Sequence, residues 1–189
     1  MYKKDYFMRL VEQLTAVIAH ITNLSDKEAY DEALQTTDSA LRQLTGLGVN
    51  AWLSMDTADI LANLSMRDDL GGVETAVFMA GVFYQQGEIK AWQGQADAAD
   101  YCLLKALDLQ LALINTHPDI PMPDVLPAVT ELQERLADAE VLLPSETSLA
   151  LMTYYENVGE FAEAEDALFE VVGRRFRTTA RPWKRALLL

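Results

Sequence analysis

The sequence has a single cysteine and no long apolar run, and each absence excludes a class of protein. One cysteine, Cys102, cannot form an internal disulfide, so a disulfide-held scaffold is excluded and a reducing compartment is expected. Charged residues, among them Lys3, Lys4 and Arg9, interrupt the first twenty positions. No run approaches the roughly 20 apolar residues that span a bilayer. We therefore expect no signal peptide, no integral membrane association and a cytoplasmic protein.

Glycine and proline are also scarce, with 9 and 6 residues among 189. Half of the residues are hydrophobic, and the mean hydropathy is +0.01. This composition excludes disorder, a collagen-like chain and a low-complexity linker as the main state. The length predicts one folded domain or one short repeat array.

Basic residues are few and unevenly placed. All 29 acidic residues precede Arg174, whereas six of the 15 basic residues lie from Arg174 onward. The nine basic residues left among the first 173 give that segment a net charge of −20, against +6 for the rest. Nucleic-acid binding by the acidic segment is therefore disfavoured.

These charges divide the chain into an all-α domain, 1–173, and a basic tail, 174–189. The proline-rich segment 116–123 is a possible joint within the domain, because each proline restricts the residue before it. The tail ends in an apolar anchor of four residues, which we expect to dock on the chain itself, on a second copy or on an external anionic partner: Trp183, Leu187, Leu188 and Leu189.

No stretch alternates apolar and polar residues over the length of a strand, so no sheet is expected. Apolar residues instead recur every three or four positions, which predicts about seven to nine helices. Helices are expected at about 3–23, 73–93, 95–115, 124–140 and 160–176, with a loop at 67–72. Ser25 and Glu28 have the spacing of a capping box at the start of the second helix.

Small residues recur at long intervals. Ala33, Ala99 and Ala164 occupy equivalent positions in three predicted hairpins, at offsets of 66 and 65 residues. These offsets are about twice the 34-residue period of the tetratricopeptide repeat, a helix–turn–helix unit. The hairpins resemble that repeat, which implies an array of antiparallel helical hairpins. The segments 47–72 and 116–144 lack the spacing.

The opening of the chain carries a second resemblance. The run Asp5-Tyr6-Phe7-Met8-Arg9-Leu10-Val11-Glu12-Gln13-Leu14, followed by Tyr30-x-Glu-Ala33, is similar to the start of an uncharacterised bacterial family of short tetratricopeptide-like proteins. This resemblance implies a bacterial, cytoplasmic protein and carries no activity.

In a stacked array, the first helix of each hairpin lines a concave groove that binds a protein or peptide. The residues expected there are Thr15, Ile18 and Thr22, then Gly81, Tyr84, Glu88, Ala91 and Trp92, then Glu146, Leu149, Thr153, Glu156 and Asn157. No lysine or arginine is among them, so an apolar or basic segment fits better than an acidic one. The tail is one such segment.

Signatures of catalysis are missing. His20 and His117 are far apart, and we read them as structural, with His20 partly buried. No dinucleotide, phosphate-loop or hydrolase motif occurs, and Cys102 has no neighbouring base. We predict no catalytic residue, no metal and no cofactor, and a non-catalytic interaction or assembly module. The alternative is an enzyme or small-ligand binder with a pocket near Tyr84, Trp92 and Tyr155.

Overall fold

The computed structural model describes residues 4–25, 29–66 and 71–179. Within these ranges the chain is all-helical and has no strand, which confirms the predicted fold class. The nine helices of these ranges are α1 (Lys4–Ser25), α2 (Tyr30–Thr45), α3 (Val49–Leu53), α4 (Thr57–Ser65), α5 (Gly72–Trp92), α6 (Ala96–Thr116), α7 (Val129–Asp138), α8 (Ser145–Val158) and α9 (Phe161–Thr179).

The chain divides into two compact units. The first, Met1–Val141, contains α1 to α7, and the second, Leu142–Leu189, contains α8 and α9. The proline-rich segment 116–123 begins at the last residue of α6 and otherwise lies between α6 and α7, inside the first unit. The predicted extents of domain and tail, 1–173 and 174–189, stay predictions.

Helix α5 is the centre of the first unit, because α1, α2, α4 and α6 all pack on it. A helix enclosed in this way must be apolar on most sides. Its large side chains meet that demand, since Phe78 and Phe83 are 1% and 0% exposed. Glycine at two positions lets neighbouring helices come closer than any side chain would allow.

Helices α1 and α5 run parallel. A Cβ atom at Gly81 would lie 2.5 Å from Cδ2 of Leu14, so α1 packs directly on the α5 backbone at that level. Ile21 lies seven residues after Leu14 on α1, and Ile89 lies eight residues after Gly81 on α5. These two isoleucines share a buried cluster. Because both contacts advance in the same direction, the two helices have the same polarity.

Helix α2 runs antiparallel to α5. Near its start, Asp31 accepts a hydrogen bond from Nε2 of Gln93 at 3.3 Å. Further along α2, Thr37 accepts one from Gln86, which lies earlier in α5. Since α1 is parallel to α5, α1 and α2 form an antiparallel hairpin stacked on α5.

Helices α5 and α6 form a second antiparallel hairpin. Gly94 turns the chain with a φ of 73°, and the amide of Gln95 donates to the carbonyl of Lys90 at 2.9 Å. A Cβ at Gly87 would lie 2.8 Å from Cδ2 of Leu103 and 3.2 Å from the carbonyl oxygen of Ala99. The helices therefore touch at backbone distance where Ala99 was predicted to permit it.

Two connecting helices fill the stretch between the hairpins. Oδ1 of Asp38 accepts from the amide of Val49 at 2.8 Å, which fixes the start of α3. Trp52, 1% exposed, donates its indole N–H to Oγ1 of Thr45 at 2.8 Å. Tyr101 on α6 donates to the carbonyl of Leu53 at 2.7 Å. These long-range bonds hold a five-residue helix that has little stability of its own.

The second unit is a hairpin of α8 and α9. Gly159 ends α8 in the left-handed conformation, with a φ of 84°. Leu151 and Tyr155 are the buried large side chains of α8. On α9, Ala164, 6% exposed, lies on the buried stripe, which agrees with the small residue expected there.

Two sequence-based expectations about helix ends are wrong. Ser25 is the last residue of α1 and α2 begins at Tyr30 after Ala29, so the predicted capping box does not start α2. Helix α1 extends because Leu24, 5% exposed, is buried in the cluster that contains Ile21. Helix α7 begins at Val129, five residues later than expected, and leaves Pro127 outside it.

The contact between α5 and α6 gives a stability prediction. Replacing Ala99, 2% exposed, by Leu adds three carbon atoms where the helix backbones meet, and overpacking of this kind costs about 1–3 kcal/mol. We expect Ala99→Leu to lower the free energy of unfolding in urea by that amount. Ala96→Leu, at an exposed position of the same helix, is the control and should leave it within about 0.5 kcal/mol. Equal stability of both variants would contradict the assignment.

Candidate functional site

The groove residues predicted on α1 and α5 lie on partly exposed positions of the first unit. Ile18, Tyr84 and Glu88 are half-buried, Thr22 is exposed, and Trp92 is 43% exposed. Tyr84, Glu88 and Trp92 are spaced by four residues and so share one stripe of α5. Since α1 is parallel to α5, Ile18 and Thr22 advance along the same direction as this stripe. These five residues, which the sequence analysis predicts to line one groove, are called the α1/α5 groove below.

Other residues predicted for this groove have different environments. Gly81 is buried against Leu14 at the helix crossing, so it does not line a surface. Ala91 and Thr15 are exposed. The hydroxyl of Thr15 donates to the carbonyl of Val11 at 2.8 Å, within its own helix.

Helix α7 brings a cation to the groove that the sequence analysis did not name. The guanidinium of Arg135 forms an ion pair with the carboxylate of Glu88, whose side chain is 18% exposed, and also hydrogen-bonds to Tyr84. Glu131, one turn earlier on α7, lies close enough to Tyr84 to act on its charge. The groove was predicted to lack lysine and arginine, and the structure places one arginine, paired with Glu88, beside its residues.

Burial and this cluster both act on the Tyr84 phenol. Burial raises the pKa of Tyr84 above its ordinary value, because it disfavours the charged phenolate. The carboxylates of Glu88 and Glu131 raise the pKa further, whereas the charge and hydrogen bond of Arg135 lower it. An ordinary tyrosine is already neutral at physiological pH, and the raised pKa leaves Tyr84 a neutral hydrogen-bonding group.

The opposing effects on Tyr84 give a prediction with a definite sign. Arg135→Met removes the group that favours the phenolate, so the pKa of Tyr84 should rise further. Glu88→Gln removes a negative charge, so the pKa should fall. The measurement is a pH titration of the chain labelled with carbon-13 at the tyrosine Cζ. Tyr30, on α2, is the internal control, and equal shifts at Tyr30 and Tyr84 would contradict the geometry.

The residues predicted on α8 lie in the second unit. Leu149 is 40% exposed, Thr153 is half-buried, and Glu146, Glu156 and Asn157 are exposed. The hydroxyl of Thr153 donates to the carbonyl of Leu149 at 3.1 Å. Their placement in the same groove as α1 and α5 stays a prediction.

The residues named for the alternative pocket belong to different units. Tyr84 and Trp92 belong to the first unit and Tyr155 to the second. Tyr155 is 6% exposed, and its ring meets that of Tyr154 edge-on, with centroids 5.3 Å apart. The tail anchor, Trp183 and Leu187 to Leu189, lies outside the described residues.

Cys102 and the two histidines were predicted to have no catalytic role, and the structure gives the environment of each. Cys102 is buried, which raises the pKa of its thiol to about 11 and leaves almost no thiolate at neutral pH. His117 contacts the hydroxyl of Thr116 at 2.7 Å through Nδ1. His20 is exposed, so its expected partial burial is wrong. No group of three or more metal-ligating side chains occurs in the described part of the chain.

A depression of about 320 Å³ lies between α2, α3 and α5 and has polar walls that include Asp38, Gln86 and Lys90. Asp38 already accepts hydrogen bonds from Val49 and Arg42, and Gln86 donates to Thr37. Two of these hydrogen bonds join α2 to α3 and to α5.

The described residues form an all-helical fold in which the hairpin of α1 and α2 packs on α5. Across 4–25, 29–66 and 71–179, no helix is long and apolar enough to cross a membrane. The chain belongs to the family of unknown function DUF6483, whose model matches residues 1–180. The expectation of an uncharacterised family is thereby confirmed. No curated protein and no solved structure matches the chain.

Proposed function

We propose that this protein is a non-catalytic protein-interaction or assembly module, built as a tetratricopeptide-like array, whose α1/α5 groove binds an apolar or basic segment. The observation that carries the proposal is the parallel stacking of α1 and α5. Parallel first helices place their equivalent faces side by side along the stack, and this creates the extended surface that repeat proteins use for binding.

The repeat in the sequence supports this architecture. Ala33 and Ala99 are 66 residues apart, and both are buried at hairpin contacts, at 0% and 2% exposure. The side chain of Leu14 packs on Gly81, and Gly81 lies 67 residues after Leu14 in the sequence. The contact offset between the stacked helices is therefore within one residue of the small-residue spacing. Helix α7 contacts α6, and its Arg135 forms an ion pair with Glu88. In the proposed array, α7 occupies the position of the first helix of a further hairpin.

The chemistry of the groove favours an apolar or basic ligand. Trp92 offers an aromatic face to an apolar or cationic side chain. Glu131 and Glu88 are balanced by a single arginine, Arg135, so the cluster keeps an excess of negative charge. The segment of net charge −20 repels nucleic acid, and the partner is a protein or peptide. The basic tail of the chain is a candidate, and we place the interaction in a bacterial cytoplasm.

A site-specific photocrosslink tests this function. A photoreactive phenylalanine analogue at Trp92 should capture a protein partner, or the chain's own tail, in cells that express the full chain. The same analogue at Met66, which is 85% exposed at the end of α4, is the matched control. The proposal predicts a discrete product from position 92 and none from position 66. Equal crosslinking from both positions, or none from position 92, would contradict it.

A further inference from the structure

The depression between α2, α3 and α5 has an exposed polar rim and a more buried wall on α5. The rim carries amide and hydroxyl groups of α2 and α3, at Gln35, Ser39 and Asn50. The α5 wall includes Gln86, which is 5% exposed, and Lys90, which is half-buried. All five residues belong to the first unit. We call the space that they line the α5 depression.

Lys90 brings a positive charge to the α5 depression. Among the residues that the structure describes, no carboxylate forms an ion pair with it. Lys105, on α6, differs, because its Nζ donates to the carbonyl of Met55 at 2.8 Å and lies 5.8 Å from the ring centroid of Tyr101. A partly buried charge has lost part of its hydration and is stabilised by an opposite charge. An anionic ligand would supply that charge to Lys90.

The effect of Lys90 on Cys102 locates its charge. Burial raises the pKa of the Cys102 thiol to about 11, and the charge of Lys90 acts in the opposite direction. Because Cys102 is 1% exposed, the ammonium group of Lys90 acts on the protein interior. A ligand in the α5 depression therefore meets a charge that solvent screens less than it screens a charge on an open surface.

The other charged residue of the wall, Asp38, is already neutralised. Its Oδ1 accepts from the amide of Val49 at 2.8 Å, and its Oδ2 lies 3.1 Å from Nη2 of Arg42 in an ion pair. The charges of Asp38 and Arg42 cancel, and the charge of Lys90 remains. Within the described wall, the α5 depression thus has an excess of one positive charge.

Gln86 contributes a hydrogen-bond acceptor. The hydroxyl of Thr37 donates to the carbonyl of Leu34 at 2.7 Å, and a hydroxyl has a single proton to donate. Thr37 therefore accepts from Nε2 of Gln86, which fixes the orientation of that amide. Gln86 lines the depression and Thr37 does not. The other end of the amide, Oε1, is an acceptor to which a ligand hydroxyl can donate.

We propose that the α5 depression binds a small hydroxycarboxylate, with the carboxylate paired with Lys90 and a hydroxyl donating to Oε1 of Gln86. These two residues are four positions apart on α5, one turn or roughly 6 Å along the same stripe, so one small molecule can contact both. A volume of about 320 Å³ is at the lower end of the range for ligand pockets and suits a molecule of this size.

The charges of the protein limit the ligand to one anionic group. A single unpaired lysine matches the single charge of a carboxylate. The net charge of −20 on residues 1–173 repels a polyanion. This inference goes beyond the proposed function, and the α5 depression shares no residue with the α1/α5 groove.

A nuclear magnetic resonance titration of the full chain with racemic glycerate tests the proposal. Glycerate should give saturable shifts of the side-chain amide signals of Gln35, Asn50 and Gln86, with a Kd of about 1 mM or tighter. The side-chain amide of Asn63 on α4, which donates to the carbonyl of Asp59 at 2.9 Å, is the internal control and should not shift. No saturable shift at the depression, or equal shifts at Asn63, would overturn the proposal.

Truncated probes test which groups of the ligand are recognised. Propionate keeps the carboxylate and lacks the hydroxyls, whereas glycerol keeps hydroxyls and lacks the carboxylate. Each loses one proposed contact and should bind at least about threefold more weakly than glycerate. If either binds as tightly as glycerate, the proposed ligand class is wrong. Tighter binding of glycerol 3-phosphate than of glycerate would indicate a phosphate site and would also overturn the proposal.

A matched pair of lysine variants separates the Lys90 contact from general electrostatic attraction. Lys90→Met removes the charge, keeps an unbranched side chain, and should weaken glycerate binding by at least about tenfold. Lys105→Met removes the same charge outside the depression and should bind glycerate like the wild type. Wild-type affinity in Lys90→Met, or equal losses in both variants, would overturn the proposal.

Ser39→Trp provides a test that does not depend on the folding of the lysine variants. Ser39 is exposed, so a larger side chain should leave the helix content measured by circular dichroism unchanged while it fills the depression. Ala19→Trp, at an exposed position of α1, is the control. Glycerate binding should disappear in Ser39→Trp and persist in Ala19→Trp. Binding that persists in both would place the ligand elsewhere and overturn the proposal.

Discussion

The close approach of helices to the backbone of α5 is the constraint on which the first unit depends. At Gly81 the Leu14 side chain occupies the space that a Cβ would need, and at Gly87 the α6 helix does the same. Dispersion and apolar burial increase as packing tightens, so these contacts set which helices lie against α5. The Leu14–Gly81 contact and the cluster of Ile21 with Ile89 together give the direction of α1.

Elements with a strong local pattern were predictable from the sequence. Helices α1, α5 and α6 were expected within about two residues of their observed ends, because each carries a long apolar periodicity. The small residues at Ala33, Ala99 and Ala164 were expected at helix contacts and are buried. In these cases the information lies within one helix or in a repeated spacing, and both are visible without a structure.

Features that depend on distant residues were missed. Helix α3 has five residues and is held by hydrogen bonds to Asp38 and Thr45 of α2. Because these bonds come from another helix, the local sequence of α3 does not predict it. Arg135 pairs with Glu88 across 47 positions, and nothing near either residue indicates the other. The second helix was expected to start at Ser25, but α2 begins at Tyr30, and Glu28 of the predicted capping box lies outside the described residues.

The proposed function depends on the α1/α5 groove. This set of residues combines an exposed tryptophan with a carboxylate-rich cluster that a single arginine partly neutralises. In the proposal, the apolar side chains supply the contact area and the charges select the orientation of the partner.

The most direct test of this account is the direction of α1 relative to α5, because the groove exists only if the two helices run parallel. A methyl-labelled sample allows nuclear Overhauser effects to be measured between specific pairs of residues. The account predicts effects between the Leu14 methyls and the α protons of Gly81, and between the methyls of Ile21 and Ile89. Effects between Leu14 and Ile89 in place of these would show an antiparallel pair and would contradict the stacked-hairpin architecture.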